Sequence, residues 1–249
     1  MKDLREIKDY QIVVLGLLIA LGTVLSTYIL SLSIIKFQEM NTQALSVTGS
    51  ASQNVKSDFA VWKGYYESRN ANLKTAYAKL EADSNAIKVY LKEKGIEDAN
   101  IKFSPVNSYP IYKRTSSGYE TNDVEGYRLS QRVEVSSNDI DKITNLSKNS
   151  ASLINKNVEL TSNSVEYLVS NLNELKIKVL AEATKDAKKR AESMVKSTNG
   201  KIGVMKSAKM GVFQIVPVNS TEVSDYGIND TQAIDKKVNA VVNATFTIK

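Results

Sequence analysis

From Tyr10 to Ile35 the chain runs for 26 residues without a charge, almost at its N-terminus. An α-helix needs about 20 apolar residues to cross the ~30 Å hydrocarbon core of a bilayer, so this stretch can span one with some tilt. Past Lys36 the sequence is hydrophilic and offers no second span. The expected organisation is a cytoplasmic tail over 1–9, a transmembrane anchor over 10–35, a linker over 36–43 and an exported domain over 44–249.

Orientation follows from the basic residues. Lys2, Arg5 and Lys8 precede the span, and Lys36 is the one basic residue in the stretch that follows it before Lys56. Acidic residues contribute little to this bias, so Asp3, Glu6 and Asp9 do not cancel it. The N-terminus is expected in the cytoplasm and the domain in the periplasm or extracellular space. A cleaved signal peptide is the rival reading. Ile12 to Leu25 would fit its apolar core, but Ser31-Leu32-Ser33 is a poor cleavage site, which favours a retained anchor. Gly16, Ala20, Gly22 and Ser26 form two overlapping small-x-x-x-small pairs, a spacing that lets helices approach closely, although small residues are common in such helices anyway.

Composition narrows the chemistry. The chain has no cysteine and no histidine. Stability must come from packing rather than disulfides. Zinc sites of the usual kind, histidine-ligated haem, Cys–His nucleophiles and Ser–His–Asp triads are removed. No metal, cofactor or catalytic residue is expected. The net charge is +6, and between Lys176 and Lys209 ten Lys or Arg stand against Glu182, Asp186 and Glu192. Such a patch can favour anionic lipid or an acidic partner, with Lys185, Lys189 and Lys196 as candidate contacts; a solvated helix face is the simpler reading. Nucleic acid is not an expected partner, because the basic stretch lacks interleaved aromatics.

The pattern of the domain is mixed. Leu45–Gly49 and Val55–Glu67 read as extended, and Leu73, Tyr77, Leu80, Ile87 and Leu91 recur at helical spacing before Gly95. Ile101–Tyr112 reads as extended, Lys113–Glu125 as a polar loop, and Tyr127–Val135 as a strand with one wet face. Asn138 is placed to cap a short helix. Val158–Tyr167 is extended, and the longest helix is expected from about Ser170 to Thr198, burying Ala183, Ala187 and Ala191. Strand-like material follows from Ile202 to Val218, then a polar loop over Asn219–Asp235. Val238, Ala240, Val242, Ala244, Phe246 and Ile248 alternate in the cleanest strand signal of the chain. This is strand–helix–strand–strand twice, a candidate duplication of 44–136 and 157–249. The fold class is α+β, with helices on one face of antiparallel sheets, plus the transmembrane helix.

Four segments in this order resemble the SIMPL-domain family of exported bacterial proteins, which includes YggE-like and immunogenic envelope proteins. Val47-Thr48-Gly49-Ser50-Ala51 with Lys56-Ser57-Asp58-Phe59-Ala60 is similar to its opening block, with Ser57 where proline is usual. Gly126-Tyr127-Arg128-Leu129-Ser130 resembles its central segment. The alanine-spaced helix to Val195 with Asn199-Gly200-Lys201-Ile202-Gly203, and the closing alternation, resemble its last two blocks. The resemblance spans 44–249 and implies an α+β domain, export to the envelope, self-assembly and a part in stress tolerance. It implies no catalytic residue.

Asp58 is a candidate carboxylate, though a turn role is the simpler one. Glu134 and Glu166 are single carboxylates in strands, with nothing to pair them for acid–base work. No serine lies in an S-x-x-K or Gly-x-Ser-x-Gly pattern. The two polar loops, with Tyr119 and Tyr226, are the candidate interaction segments. The expected function is a non-enzymatic, self-assembling envelope or stress-tolerance factor held to the membrane through 10–35, a homo-oligomer with scope for an envelope partner. An accessory subunit of a transport or secretion machine, and a hydrolase using a Ser–Lys or carboxylate site, are the competing readings. A cysteine introduced at Ser50, in a chain that has no other, is expected to react with a membrane-impermeant thiol reagent on intact cells. Labelling only after lysis would reverse the orientation.

Overall fold

The apolar stretch folds as the expected helix. In the computed structural model, which describes residues 3–42 and 44–248, α1 runs over Asp3–Thr42. Its apolar part, Val13–Gln38, is long enough to cross a membrane, and none of its most apolar window is buried against the protein. Three hydroxyls inside it have partners on their own helix: Thr23 donates to the Ala20 carbonyl at 2.8 Å, Thr27 to Thr23 at 2.7 Å and Ser33 to Ile29 at 2.9 Å. These bonds satisfy the three hydroxyls within the helix, where hydrocarbon offers no other partner. Residues 36–42, read as linker from sequence, continue the helix; residue 43 lies outside the described residues.

The remaining elements follow in chain order: β1 Ala44–Lys56, β2 Phe59–Asn70, α2 Leu73–Glu93, β3 Ile101–Phe103, β4 Asn107–Arg114, β5 Glu120–Ser137, α3 Ile140–Asn149, β6 Leu160–Ser162, β7 Glu166–Leu168, α4 Leu172–Lys196, β8 Ile202–Met210, β9 Gln214–Pro217, β10 Ile228–Asn229 and β11 Asp235–Ile248. The strands form two sheets, one built on β2 and β5, the other on β11. The architecture is α+β, as expected. By contacts the chain makes two compact units, one of residues up to Ala51, Leu180–Gly211 and from Val241, the other of Ser52–Val179 and Val212–Ala240.

In the second unit β2 is the centre of the six-stranded sheet. It pairs antiparallel with β5 along eleven residues, from Ala60↔Ser137 to Asn70↔Tyr127. On its other side lie β6 and β7, while β3 and β4 pair with β5. Side chains alternate along β2. Ala60, Trp62 and Tyr66 point into a core completed by Leu80, Ile87 and Leu91 of α2, Leu129, Val133 and Val135 of β5, and Ile143 and Leu146 of α3. Each buried leucine, isoleucine or valine among them contributes about 1.5–3 kcal/mol. The buried indole of Trp62 donates to Ser162 Oγ at 2.8 Å. Asn72 caps α2, its side chain accepting from Lys74 N at 2.9 Å.

Several local expectations are corrected. Leu80, Ile87 and Leu91 of the expected α2 series are buried, but Leu73 and Tyr77 are exposed and Ala76 joins the core. Asp139, not Asn138, caps α3, accepting from Lys142 N at 2.9 Å; the Asn138 amide reaches the Asp58 carbonyl at 3.0 Å. The stretch Lys113–Glu125 is a hairpin rather than a loop, with residues 115–119 alone outside β4 and β5. Within the Asn219–Asp235 loop, β10 forms a short parallel pair with β9.

In the first unit the end of β11 pairs antiparallel with β8, from Val242↔Met210 to Ile248↔Ile202. The alanine stripe has the predicted purpose: Ala183, Ala187 and Ala191 are fully buried. A Cβ added at Gly49 of β1 would sit 2.3 Å from both the Ala183 carbonyl oxygen and the Ala187 nitrogen. Strand and helix backbones therefore touch, and Ser50 N donates to Asp186 Oδ2 at 2.9 Å beside the contact. Both obstacles to a Cβ are backbone, so no side-chain rotation relieves the clash. Gly49→Ala is expected to destabilise the fold by about 3 kcal/mol, read as a lowered denaturation midpoint; an unchanged midpoint would show that α4 is free to move away.

Candidate functional site

The side chains proposed from sequence fall in separate places. Tyr119 is exposed at the tip of the β4–β5 hairpin, and Tyr226, 97% exposed, stands on the separate segment between β9 and β10. Lys185, Lys189 and Lys196 lie on the solvent side of α4, in the first unit. Lys185 pairs with Glu182 at 2.8 Å, Arg190 with Asp186 at 2.8 Å and Lys188 with Glu192 at 3.7 Å. Pairs of this kind along an exposed helix are worth a few tenths of a kcal/mol each. They engage three of the ten basic side chains between Lys176 and Lys209 and leave the stretch net positive.

The carboxylates are structurally engaged. Asp58 occupies the two-residue turn between β1 and β2, where it accepts from Ser170 Oγ and, at 2.7 Å, from Ser170 N. The Ser170 hydroxyl and then its backbone N–H hold the Asp58 carboxyl below the usual range. The same turn is pinned by Ser57 N, which donates to the Ile234 carbonyl at 2.9 Å. Asp58 thus ties the β1–β2 turn to the approach of α4. Glu166 takes Lys63 at 2.7 Å, and Glu134 lies opposite Lys63 on one side and Lys102 on the other. Among the described residues no group of three Asp or Glu could hold a metal ion.

Buried titratable groups include Asp83, which pairs with Lys79, and Tyr90; Lys236 and Tyr66 are two more. Lys236 is 2% exposed and donates to the carbonyls of Tyr167 and Asp230 at 2.5 and 2.6 Å, and burial pushes its pKa down. These bonds staple the segment before β11 onto β7. Tyr66 donates to Gln131 Oε1, and burial raises its pKa. Both sit inside the packing, with protein partners.

Two surfaces remain with something to offer a partner. The first is β8, which among the described residues pairs with β11 alone. Met210, Ala208 and Met205 lie opposite Val242, Ala244 and Phe246, so they share the face of β11 that is buried. Yet these β8 residues are exposed, and Val204 beside them is 69% exposed. The covered face of this sheet therefore ends before its edge strand. Lys206 and Lys209 stand on the same strand, and the ladder is irregular near Phe246. Lysines and bulges are the devices by which edge strands resist indiscriminate pairing.

The second surface is the face of the six-stranded sheet turned away from α2 and α3. Register places Tyr65 opposite Arg132, Glu67 opposite Ser130, and Arg69 opposite Arg128, with Tyr109 of β4 on the far side of Arg128. The Arg128 guanidinium lies over the Tyr109 ring, 5.6 Å from its centroid. Arg69 is held by Glu67 at 2.6 Å and Arg114 by Glu120 at 3.1 Å. A hydrogen bond that Arg132 donates to the Tyr65 side chain keeps the Arg132 pKa raised. A concavity of about 580 Å³ opens among Arg69, Tyr109, Ile111, Tyr112, Arg114 and Arg128. Sequence reading did not single out these residues; the signal lay in their register, which only the folded sheet displays.

The family model described as "SIMPL: Protein of unknown function (DUF541)" matches residues 45–246. The chain belongs to this family. No curated protein matches the chain. The matched span takes in both surfaces and the Asp58 turn. If Asp58 acts through Ser170, Ser170→Ala lowers the melting temperature at pH 7 by a few degrees. The carboxyl is depressed in the folded state, so its contribution is present above about pH 4 and is lost as pH falls through the folded value. The gap between the parent and Ser170→Ala should therefore narrow on acidification; a gap independent of pH would assign the loss to packing.

Proposed function

We propose that this SIMPL-family protein is a membrane-anchored, extracytoplasmic assembly factor that works by associating with copies of itself and performs no catalysis. The observation that carries this reading is the uncovered strip on β8. Met205, Ala208 and Met210 continue a buried sheet face beyond the cover that α4 provides. An exposed apolar edge strand with free backbone groups is a template for another strand. The lysines on it favour a defined partner over open-ended aggregation.

Three further features support the reading. Lys2, Arg5 and Lys8 before the span direct the domain out of the cytoplasm. Gly16 and Gly22 on α1 face open space, which leaves room for a neighbouring helix in the bilayer. Asp58 accepts from Ser170 and Glu166 from Lys63, bonds that tie the β1–β2 turn and the sheet together. Reading 44–136 and 157–249 as duplicated copies accounts for the repeated helix-then-hairpin order. Anchored assembly at the envelope suits a stress-tolerance role.

The test is multi-angle light scattering on the full-length chain in detergent, with Met205→Lys/Met210→Lys as the variant. Removing two half-buried methionine contacts forfeits about 3 kcal/mol, so association should weaken by roughly 100-fold. The parent is expected at a defined multiple of the monomer mass and the variant at the monomer, with the same melting temperature. A monomeric parent, or a variant that assembles like the parent, would overturn β8 as the contact.

A further inference from the structure

The chain has 27 lysines but only six arginines, and four of the six, Arg69, Arg114, Arg128 and Arg132, lie on β2, β4 and β5. Arginine and lysine are not interchangeable: the guanidinium is a planar fork that grips carboxylate or phosphate through two bonds and stacks on rings. A protein that uses lysine for general surface charge has therefore placed its forks on one region of one sheet.

The local energetics point the same way. Arg69 and Arg128 are directly opposite on adjacent strands, and like charges in that position are destabilising. Tyr109 and Tyr65 stay 50% and 41% exposed on this face, although tyrosine gains by covering its ring. The two Arg–Tyr stations, Arg128 with Tyr109 and Arg132 with Tyr65, are four residues apart along β5, about 13 Å at the rise of a strand. Arg69 and Arg114 are held in place by Glu67 and Glu120. Those carboxylates would repel a ligand made only of acceptors, and they reward one that also brings donors.

We propose that this face binds an extended anionic glycan, a chain of sugar rings carrying carboxylate or phosphate groups. Arg128 and Arg69 grip an acidic group in the concavity. The Tyr109 ring stacks on the face of the adjoining sugar, and Glu67 and Glu120 accept from its hydroxyls. Arg132 and Tyr65 engage the chain again three or so rings further along. The site lies on the solvent face of the sheet, so occupation needs no movement of the core. It stands independently of assembly through β8, which belongs to the other unit.

The experiment is isothermal titration calorimetry on the full-length chain in non-ionic detergent at 0.15 M salt. The probes are oligogalacturonate, a polyol-phosphate polymer carrying sugar, a neutral cello-oligosaccharide and poly-L-glutamate. One of the two anionic glycans is expected to bind at least tenfold more tightly than the neutral glycan or poly-L-glutamate, and which of them does so identifies the acidic group. Arg128→Lys keeps the charge but loses the fork, and Tyr109→Ala loses the platform. Each should weaken that binding tenfold or more without changing the melting temperature. Poly-L-glutamate binding as tightly as either glycan, no binding by either, or Arg128→Lys and Tyr109→Ala both binding like the parent, would overturn the proposal.

Discussion

The contact between Gly49 and α4 sets the geometry of the first unit. Two backbones meet where a single methyl group would lie 2.3 Å from helix backbone atoms, so strand and helix must both be bare there. The strand supplies glycine, and the helix supplies Ala183 and Ala187 with Ala191 one turn on. Small residues give little apolar area, and the contact gains a polar bond at its rim, where Ser50 N reaches Asp186. On β8, at the edge of the same sheet, Met205, Ala208 and Met210 stay exposed.

Local pattern explains which parts of the fold could be read in advance. The alanine stripe, the stop at Gly95 with its φ of 72° and the closing alternation of β11 are local patterns, and each survives in the structure. Residues 120–125 of β5 could not be recognised as strand. Glu-Thr-Asn-Asp-Val-Glu is exposed on both sides of the hairpin, so no hydrophobic alternation marks it, and only pairing with β4 makes it extended. The cap of α3 was misplaced by one residue because Asn138 and Asp139 are both good caps; the Asp58 carbonyl, distant in sequence, takes the asparagine. The two residues of β10 owe their form to β9 alone.

Surface chemistry was legible only in part. Exposed Tyr119 and Tyr226 lie on turns, where composition draws attention to them, but they stand singly. Arg69, Arg128, Arg132, Tyr65 and Tyr109 come from three strands spread over more than sixty residues of sequence. In one dimension each is an ordinary polar residue on the wet side of an alternating strand. Their grouping depends on the register of β2 and β4 against β5, and register is decided by the opposite face, where Trp62, Tyr66, Leu129 and Val133 must all point inward. A slip of one residue would turn those side chains to water. The buried face thus fixes the rows of the exposed one.

This division has an energetic meaning. A sheet with one packed face draws its stability from that face, so its other face is released from the usual demand for favourable cross-strand pairs. Lower on the same wet face the demand is met, with Lys63 between Glu134 and Glu166 and Lys102 across from Glu134. Toward the β4–β5 end it is violated, with two guanidiniums opposed and two tyrosine rings left in solvent. A glutamate at position 128 would have completed the charge ladder opposite Arg69 at no cost to the core. Local conflict of this kind, confined to one end of one face and absent from its neighbour, is what a folded protein shows where a surface serves something other than its own stability.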